Sequence, residues 1–402
     1  MIKEIFELQN PWRNRPDFRF NQKPRKILSV LLDNLDNKKM IGIVGSRQVG
    51  KSSVLFLLIR HLLEKNAVSA NDIFYFNLDD LKLHELFAEL PEFLYFIGHT
   101  RDRRRYIFID EAQRLTNPGL FLKELYDLGL NLKIFYSGSS QLELKSKTKE
   151  HLVGRARVFE LYPLSFEEYI QFNAPIPRKQ ALEEILVYGS YPEVALEREP
   201  AAKKLLIKDI FQAYVEKDIA DFLKIDNISA FNHLLKLLAM QCGSMMNRES
   251  LARSLRVNHS LIERYIQILE STFIIRRVYP FYKNYKKEIT KTPKVYFLDL
   301  GIRNFILNAF QPVESRTDVG ALFENFYFTE ILSSDFYGFK KINFWRTTNQ
   351  TEIDFIIQGE DEFVATEVKW QAKSPPRSFK TIKKYYPDIT PRLITQNDFL
   401  KE

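Results

Sequence analysis

The chain has 402 residues, 45% hydrophobic and 27% charged, enough for two or three domains and too many for a single core. Its 59 Lys and Arg against 51 Asp and Glu leave a formal charge of +8, which permits a polyanionic partner such as DNA without requiring one. One cysteine, Cys242, excludes an intrachain disulfide or a cysteine-built zinc cluster. With no signal pattern and no apolar run near the ~20 residues that span a bilayer, the expectation is a cytoplasmic protein without a membrane partner.

From residue 1 to about 200, apolar strands alternate with amphipathic helices, which predicts a parallel sheet covered on both faces. Strands are expected at Met40 to Val44, Ile73 to Asn77, Tyr106 to Ile109, Leu132 to Ser137 and Arg157 to Leu161. The stretch Gly45-Ser46-Arg47-Gln48-Val49-Gly50-Lys51-Ser52-Ser53 places a Gly-x4-Gly-Lys-Ser phosphate loop between the first of these and a helix beginning near Val54. Successive backbone N–H groups would turn inward around the β-phosphate, where the helix dipole favours negative charge. Lys51 would reach the β- and γ-phosphates, and Ser52 would ligate Mg²⁺.

The strand Tyr106 to Ile109 ends in Asp110-Glu111, the acids such a loop needs. Asp110 would hold Mg²⁺, and Glu111 would polarise the attacking water. Ser137 and Ser139, in Ser137-Gly138-Ser139-Ser140, offer short hydroxyls for sensing the γ-phosphate, or form an ordinary turn.

Those motifs, with Leu152-Val153-Gly154-Arg155 and Glu160-Leu161-Tyr162-Pro163-Leu164-Ser165-Phe166, resemble a group of prokaryotic AAA-type ATPases that carry a C-terminal domain of unassigned function, DUF4143. The similarity continues through Gly189-Ser190-Tyr191-Pro192-Glu193-Val194 and Tyr214-Val215-Glu216-Lys217-Asp218-Ile219 and covers nearly the whole chain. It implies ATP as the nucleotide, hydrolysis of ATP, a lid carrying Gly189 and Pro192, and Arg155 as a residue touching the γ-phosphate in cis or from a neighbour in a homo-oligomer. A solvated loop arginine is the alternative for Arg155.

Residues 201–315 read as a helical lid followed by a winged helix. Asn247 to Leu255, a turn at Arg256 to Asn258 and Ser260 to Leu269 have the cadence of a helix-turn-helix, with Ser260 and Glu263 as a capping box. Leu261, Ile262, Tyr265, Ile266 and Leu269 form the buried stripe, and His259, Arg264 and Gln267 face outward. The strands Phe273 to Phe281 and Lys294 to Leu298 flank a polar hairpin, and Arg276, Arg277, Lys283, Lys286, Lys287, Lys291 and Lys294 among Tyr279, Tyr282 and Tyr285 suit tracking phosphates or packing on the ATPase core.

Residues 316–402 form the expected third domain, a helix and then strands at Ile342 to Arg346, Glu352 to Ile357 and Glu362 to Lys369. Period-two geometry puts Glu367 and Lys369 on one face with Asp354 beside them. Helix Glu324, strand Asp354 and Glu367-Val368-Lys369 resemble the PD-(D/E)xK nuclease superfamily, although Ile353 replaces the Pro before the central Asp. The resemblance implies Asp354 and Glu367 as ligands of Mg²⁺, with Mn²⁺ as the alternative ion, Glu324 in the outer shell, Lys369 orienting a water, and metal-dependent DNA cleavage. The competing expectation is a nucleotide-driven switch whose winged helix and C-terminal fold only bind nucleic acid or a protein partner, without cleavage.

Overall fold

Runs such as Met40-Ile-Gly-Ile-Val and Ile73-Phe-Tyr-Phe are apolar at every position, which suits strands buried on both faces. The computed structural model describes residues 1–15, 17–65, 68–98, 103–138, 152–213, 227–282 and 292–401. They divide into two compact units, Met1–Leu161 and Tyr162–Glu402.

In the first unit those runs form a parallel five-stranded sheet of β1 (Met40–Gly45), β2 (Ile73–Asn77), β3 (Arg105–Asp110), β4 (Leu132–Gly138) and β5 (Ala156–Leu161). The order β2-β3-β4-β1-β5 puts β4 between the phosphate-loop strand and the acidic strand, so Ser137 emerges between them. The helix Lys51–Glu64 follows β1 and buries Val54, Leu55, Leu57, Leu58, Ile59 and Leu62. Burial of each such side chain contributes about 1.5–3 kcal/mol. Lys133 is also fully buried, and its ammonium donates to the carbonyls of Asn34, Asn37 and Lys39 at 2.6, 2.6 and 2.9 Å, tying down the approach to β1.

The second unit opens with a helix Phe166–Asn173, at whose start Glu168 accepts the Ser165 N–H at 3.0 Å. After the helix Arg178–Tyr188 the chain turns at Gly189, whose φ of 75° and ψ of −166° belong to a region only glycine enters readily. There the buried Asp299 carboxylate accepts from the Ser190 N–H at 2.8 Å and the Ile302 N–H at 3.0 Å, and a Cβ on Gly189 would lie 2.2 Å from its Oδ1.

The helices Arg248–Leu255 and His259–Ser271 fall where expected, with Ile262, Tyr265, Ile266 and Leu269 buried, Leu261 only half-buried, and His259, Arg264 and Gln267 exposed. The second helix is capped differently: Asn258, not Ser260, accepts the Leu261 N–H at 2.8 Å, and Glu263 pairs with Arg277 at 2.7 Å and Arg248 at 3.2 Å.

The strands β6 (Ile275–Pro280) and β7 (Lys294–Phe297) form the hairpin, and Lys283, Tyr285, Lys286, Lys287 and Lys291 lie outside the described residues. Three further strands follow, β8 (Lys341–Arg346), β9 (Glu352–Gln358) and β10 (Phe363–Val368). An unexpected one, β11 (Thr390–Ile394), runs parallel to β10. All six share one sheet, ordered β11-β10-β9-β8-β6-β7. The expected boundary at 315/316 therefore cuts through a sheet, because β6 pairs with β8 at Tyr279↔Asn343 and Pro280↔Phe344. The expected boundary at 200/201 falls inside the second compact unit. Among the described residues, no helix is long and apolar enough to cross a membrane.

Candidate functional site

Between β1 and its helix the loop Gly45–Gly50 turns through left-handed conformations at Gln48, φ 57°, and Gly50, φ 99°. Gly45 has no room for a side chain, since a Cβ would come within 2.3 Å of the Leu161 carbonyl. Val49 is buried and its carbonyl accepts from Arg25 at 2.9 Å, which braces the loop from beneath, while Arg47 and Ser53 are half-buried and Gln48 is exposed. The Lys51 ammonium folds onto the loop's own carbonyls, Gly45 at 3.1 Å and Ser46 at 2.8 Å, and among the described residues the buried Ser46 hydroxyl has no hydrogen-bond partner. A cradle with a buried cation and an unpartnered donor fits a phosphate.

At the end of β3 both oxygens of Asp110 are held: Oδ1 accepts from the Ser137 hydroxyl, and Oδ2 accepts from the Tyr75 hydroxyl at 2.7 Å. Ser52 lies beside the Tyr75 hydroxyl, so hydroxyl and carboxylate oxygens come together, the hard donors that Mg²⁺ takes. Glu111 adopts a positive φ of 56°, its N–H donates to Ser137 Oγ at 3.0 Å, and its carboxylate accepts from Gln113. Burial pushes the Glu111 carboxyl above the ordinary carboxylate range; the Lys51 charge opposes this and the Asp110 charge adds to it.

In the second unit Asp354 and Glu367 come together with Lys369 between them, its Nζ 3.1 Å from Asp354 Oδ2 and 2.7 Å from Glu367 Oε2. Asp354 also accepts the Val368 N–H at 2.8 Å, and Glu367 accepts from Ser378 at 2.5 Å. Glu324, from the helix Val319–Ser334, points elsewhere: it accepts from Tyr296 at 2.6 Å and from the buried Lys294 at 3.2 Å, whose ammonium also meets Glu352 at 2.6 Å. Burial and the Asp354 charge, opposed by Lys294, push Glu324 up to about 7. Burial and Asp354 likewise raise Glu367.

Residues 37–170 match the family described as AAA domain. The chain carries an AAA-type ATPase domain. Residues 179–313 match a domain of unknown function, DUF8612, and residues 319–398 match DUF4143. An uncharacterized protein of Methanocaldococcus jannaschii is 25% identical, covering 93% of this chain and 90% of its own length. An uncharacterized protein of Haemophilus influenzae is 23% identical over 86% of each. The solved structure of a Walker-type ATPase of Pyrococcus abyssi covers 73% of this chain and 97% of that one, at 17% identity and a TM-score of 0.44.

Within the AAA domain, Gly45 to Ser53, Asp110, Glu111 and Ser137 gather at one end of the sheet, while Ser139 lies outside the described residues. Arg155 does not join them. It precedes β5, where its carbonyl accepts the Met40 N–H at 2.9 Å, and its guanidinium pairs with Asp127 at 2.7 Å. Five steps of parallel strand, about 16 Å, separate Met40 from Gly45, so the cis role is overturned by strand register. Glu324 is bound by Lys294 and Tyr296 rather than by Lys369, close enough for the Asp354 charge to act on it, and among the described residues no three acidic, His or Cys side chains converge to hold a metal. Tyr75 escaped the sequence reading, while Lys294 and Arg277, expected to track phosphates, are instead held in ion pairs, Lys294 with Glu324 and Glu352 and Arg277 with Glu263 and Glu270. A tyrosine inside an otherwise apolar strand, whose hydroxyl must find a partner, was the signal for Tyr75.

Proposed function

We propose that the AAA domain binds ATP with Mg²⁺ and hydrolyses it, and that the second unit uses the resulting cycle on DNA as a nucleotide-driven switch. The observation that carries the ATP reading is the Lys51 ammonium resting on its own loop carbonyls beside the unpartnered Ser46 hydroxyl, a phosphate cradle satisfied by itself. Lys51 moves from these carbonyls to the β- and γ-phosphate oxygens. Ser52 and Asp110 would hold Mg²⁺, which when bound offsets charge on the phosphates. Glu111, with its backbone fixed by Ser137, orients a water and accepts its proton. Arg155 serves a neighbouring subunit in a homo-oligomer, where its planar donors meet developing charge.

DNA is the partner favoured by the positive balance of the chain and by the exposed Arg253, Arg256, His259 and Arg264 around the helix pair. The switch reading is supported by carboxylates already neutralised by Lys369 and Lys294. A second reading, metal-dependent cleavage with Mg²⁺ or Mn²⁺ held by Asp354 and Glu367, is favoured by their convergence on Lys369. Incubating the protein with either ion, with and without ATP, on supercoiled, linear, single-stranded and branched DNA separates the two. ATP turnover lost in Lys51→Ala, with DNA bound and uncut, supports the switch. Cleavage lost in Asp354→Ala supports the nuclease, and turnover that survives Lys51→Ala overturns the nucleotide site.

A further inference from the structure

We infer that Tyr75 is a positioning residue of the ATPase site, setting Asp110 against Ser52, and that the N-terminal residues Gln9 to Arg13 hold it there. The inference rests on the ATP and Mg²⁺ reading above.

Tyr75 is 3% exposed, and its hydroxyl reaches the end of the acidic strand. It donates to Asp110 Oδ2 at 2.7 Å, with Ser52 beside it. With Ser137 on the other oxygen, the Asp110 carboxylate has a fixed plane beside Ser52, the second oxygen donor expected on Mg²⁺. Packing alone does not require that hydroxyl. The ring is wedged against Phe56, centroids 4.8 Å apart, and near Trp12 at 6.4 Å, a setting phenylalanine would fill.

β2 lies at an edge of the sheet, so every second residue turns its N–H and C=O away from β3. Three N-terminal side chains meet those groups in register. Asn10 accepts the Tyr75 N–H at 2.9 Å and donates to the Tyr75 carbonyl at 2.8 Å. Gln9 does the same at Asn77, at 2.8 and 3.3 Å, and Arg13 donates to the Ile73 carbonyl at 2.8 Å. A primary amide carries the donor and acceptor of a peptide group, so Gln9 and Asn10 stand in for a missing strand at residues 77 and 75. The segment before the AAA domain thereby fixes the backbone of the residue that positions Asp110.

The test measures binding of the fluorescent nucleotide mant-ADP against Mg²⁺ concentration for wild type, Tyr75→Phe and Asn10→Ala, with melting temperatures recorded for each. Loss of a hydrogen bond to a charged group weakens an equilibrium by about tenfold or more, so Tyr75→Phe should raise the half-saturating Mg²⁺ about tenfold. Its affinity for mant-ADP in EDTA should match wild type, and Asn10→Ala should shift the Mg²⁺ requirement in the same direction. A Tyr75→Phe protein that melts like wild type with an unmoved Mg²⁺ requirement overturns the inference, as does an Asn10→Ala protein that loses stability alone. If wild type itself binds without Mg²⁺ dependence, the underlying metal assignment fails instead.

Discussion

Replacing Gly189 by alanine tests whether the turn between the helix Arg178–Tyr188 and Pro192 depends on its lack of a side chain. The φ and ψ of 75° and −166° are costly for any L-residue, about 1–3 kcal/mol. The new Cβ would also sit 2.2 Å from Asp299 Oδ1, so the carboxylate must move off the N–H groups of Ser190 and Ile302. Each bond to a buried charged acceptor contributes about 1.5–3 kcal/mol, and losing one of them brings the total to about 2.5–6 kcal/mol. That is a large part of a typical stability of about 5–15 kcal/mol. Urea unfolding followed by circular dichroism should show a midpoint lowered by about 2 M, given slopes of about 1–3 kcal/mol per molar. Asp299→Asn, which keeps the volume and an acceptor, should cost less. A midpoint for Gly189→Ala within about 0.3 M of wild type would refute the reasoning, because neither the strain nor the clash would then be present.

Glu111→Gln should keep nucleotide affinity while lowering turnover about 10²–10⁴-fold. Because Glu111 acts as a base and its folded pKa is raised, wild-type turnover should fall as pH drops through that raised value, earlier than for a solvated carboxylate. A pH–rate profile of the variant should lack this limb. Lys133→Met leaves three backbone carbonyls without their donor and should destabilise the first unit by about 3–5 kcal/mol, read from thermal unfolding. Arg155→Ala should leave turnover unchanged at protein concentrations too low for assembly; a large loss there would contradict the separation imposed by β1 and β5.

Much of this was readable in the chain because it is written locally. The strands β1 to β10 lie within two residues of their expected ends, since each is an apolar run bounded by turn residues. β11 was missed because Thr390-Pro-Arg-Leu-Ile carries a proline and a charge, which a central strand rejects and an edge strand tolerates. The phosphate loop, Asp110 and Glu111 were legible as short motifs. Tyr75 was not, because its neighbours Phe74 and Phe76 make it look like core, and its partner Asp110 is 35 residues away. Asn10 lies 65 residues from the backbone it completes. Glu324 shows the opposite failure: its position in a helix suggested a metal ligand, while its partners Lys294 and Tyr296 come from a hairpin that local periodicity assigns elsewhere.

The pairing of β6 with β8 bears on how the protein can be taken apart. A fragment cut at the DUF4143 boundary near residue 319 keeps β8 but discards β6 and β7, leaving the flank of β8 with unpaired backbone groups beside Phe344 and Trp345. Such a bare edge recruits other chains, so the excised piece should precipitate, whereas a fragment beginning at Tyr162 retains the complete sheet. What looks like a detachable C-terminal cassette is one fabric with the hairpin before it, and gene fusions or losses that respect function should break the chain ahead of Tyr162.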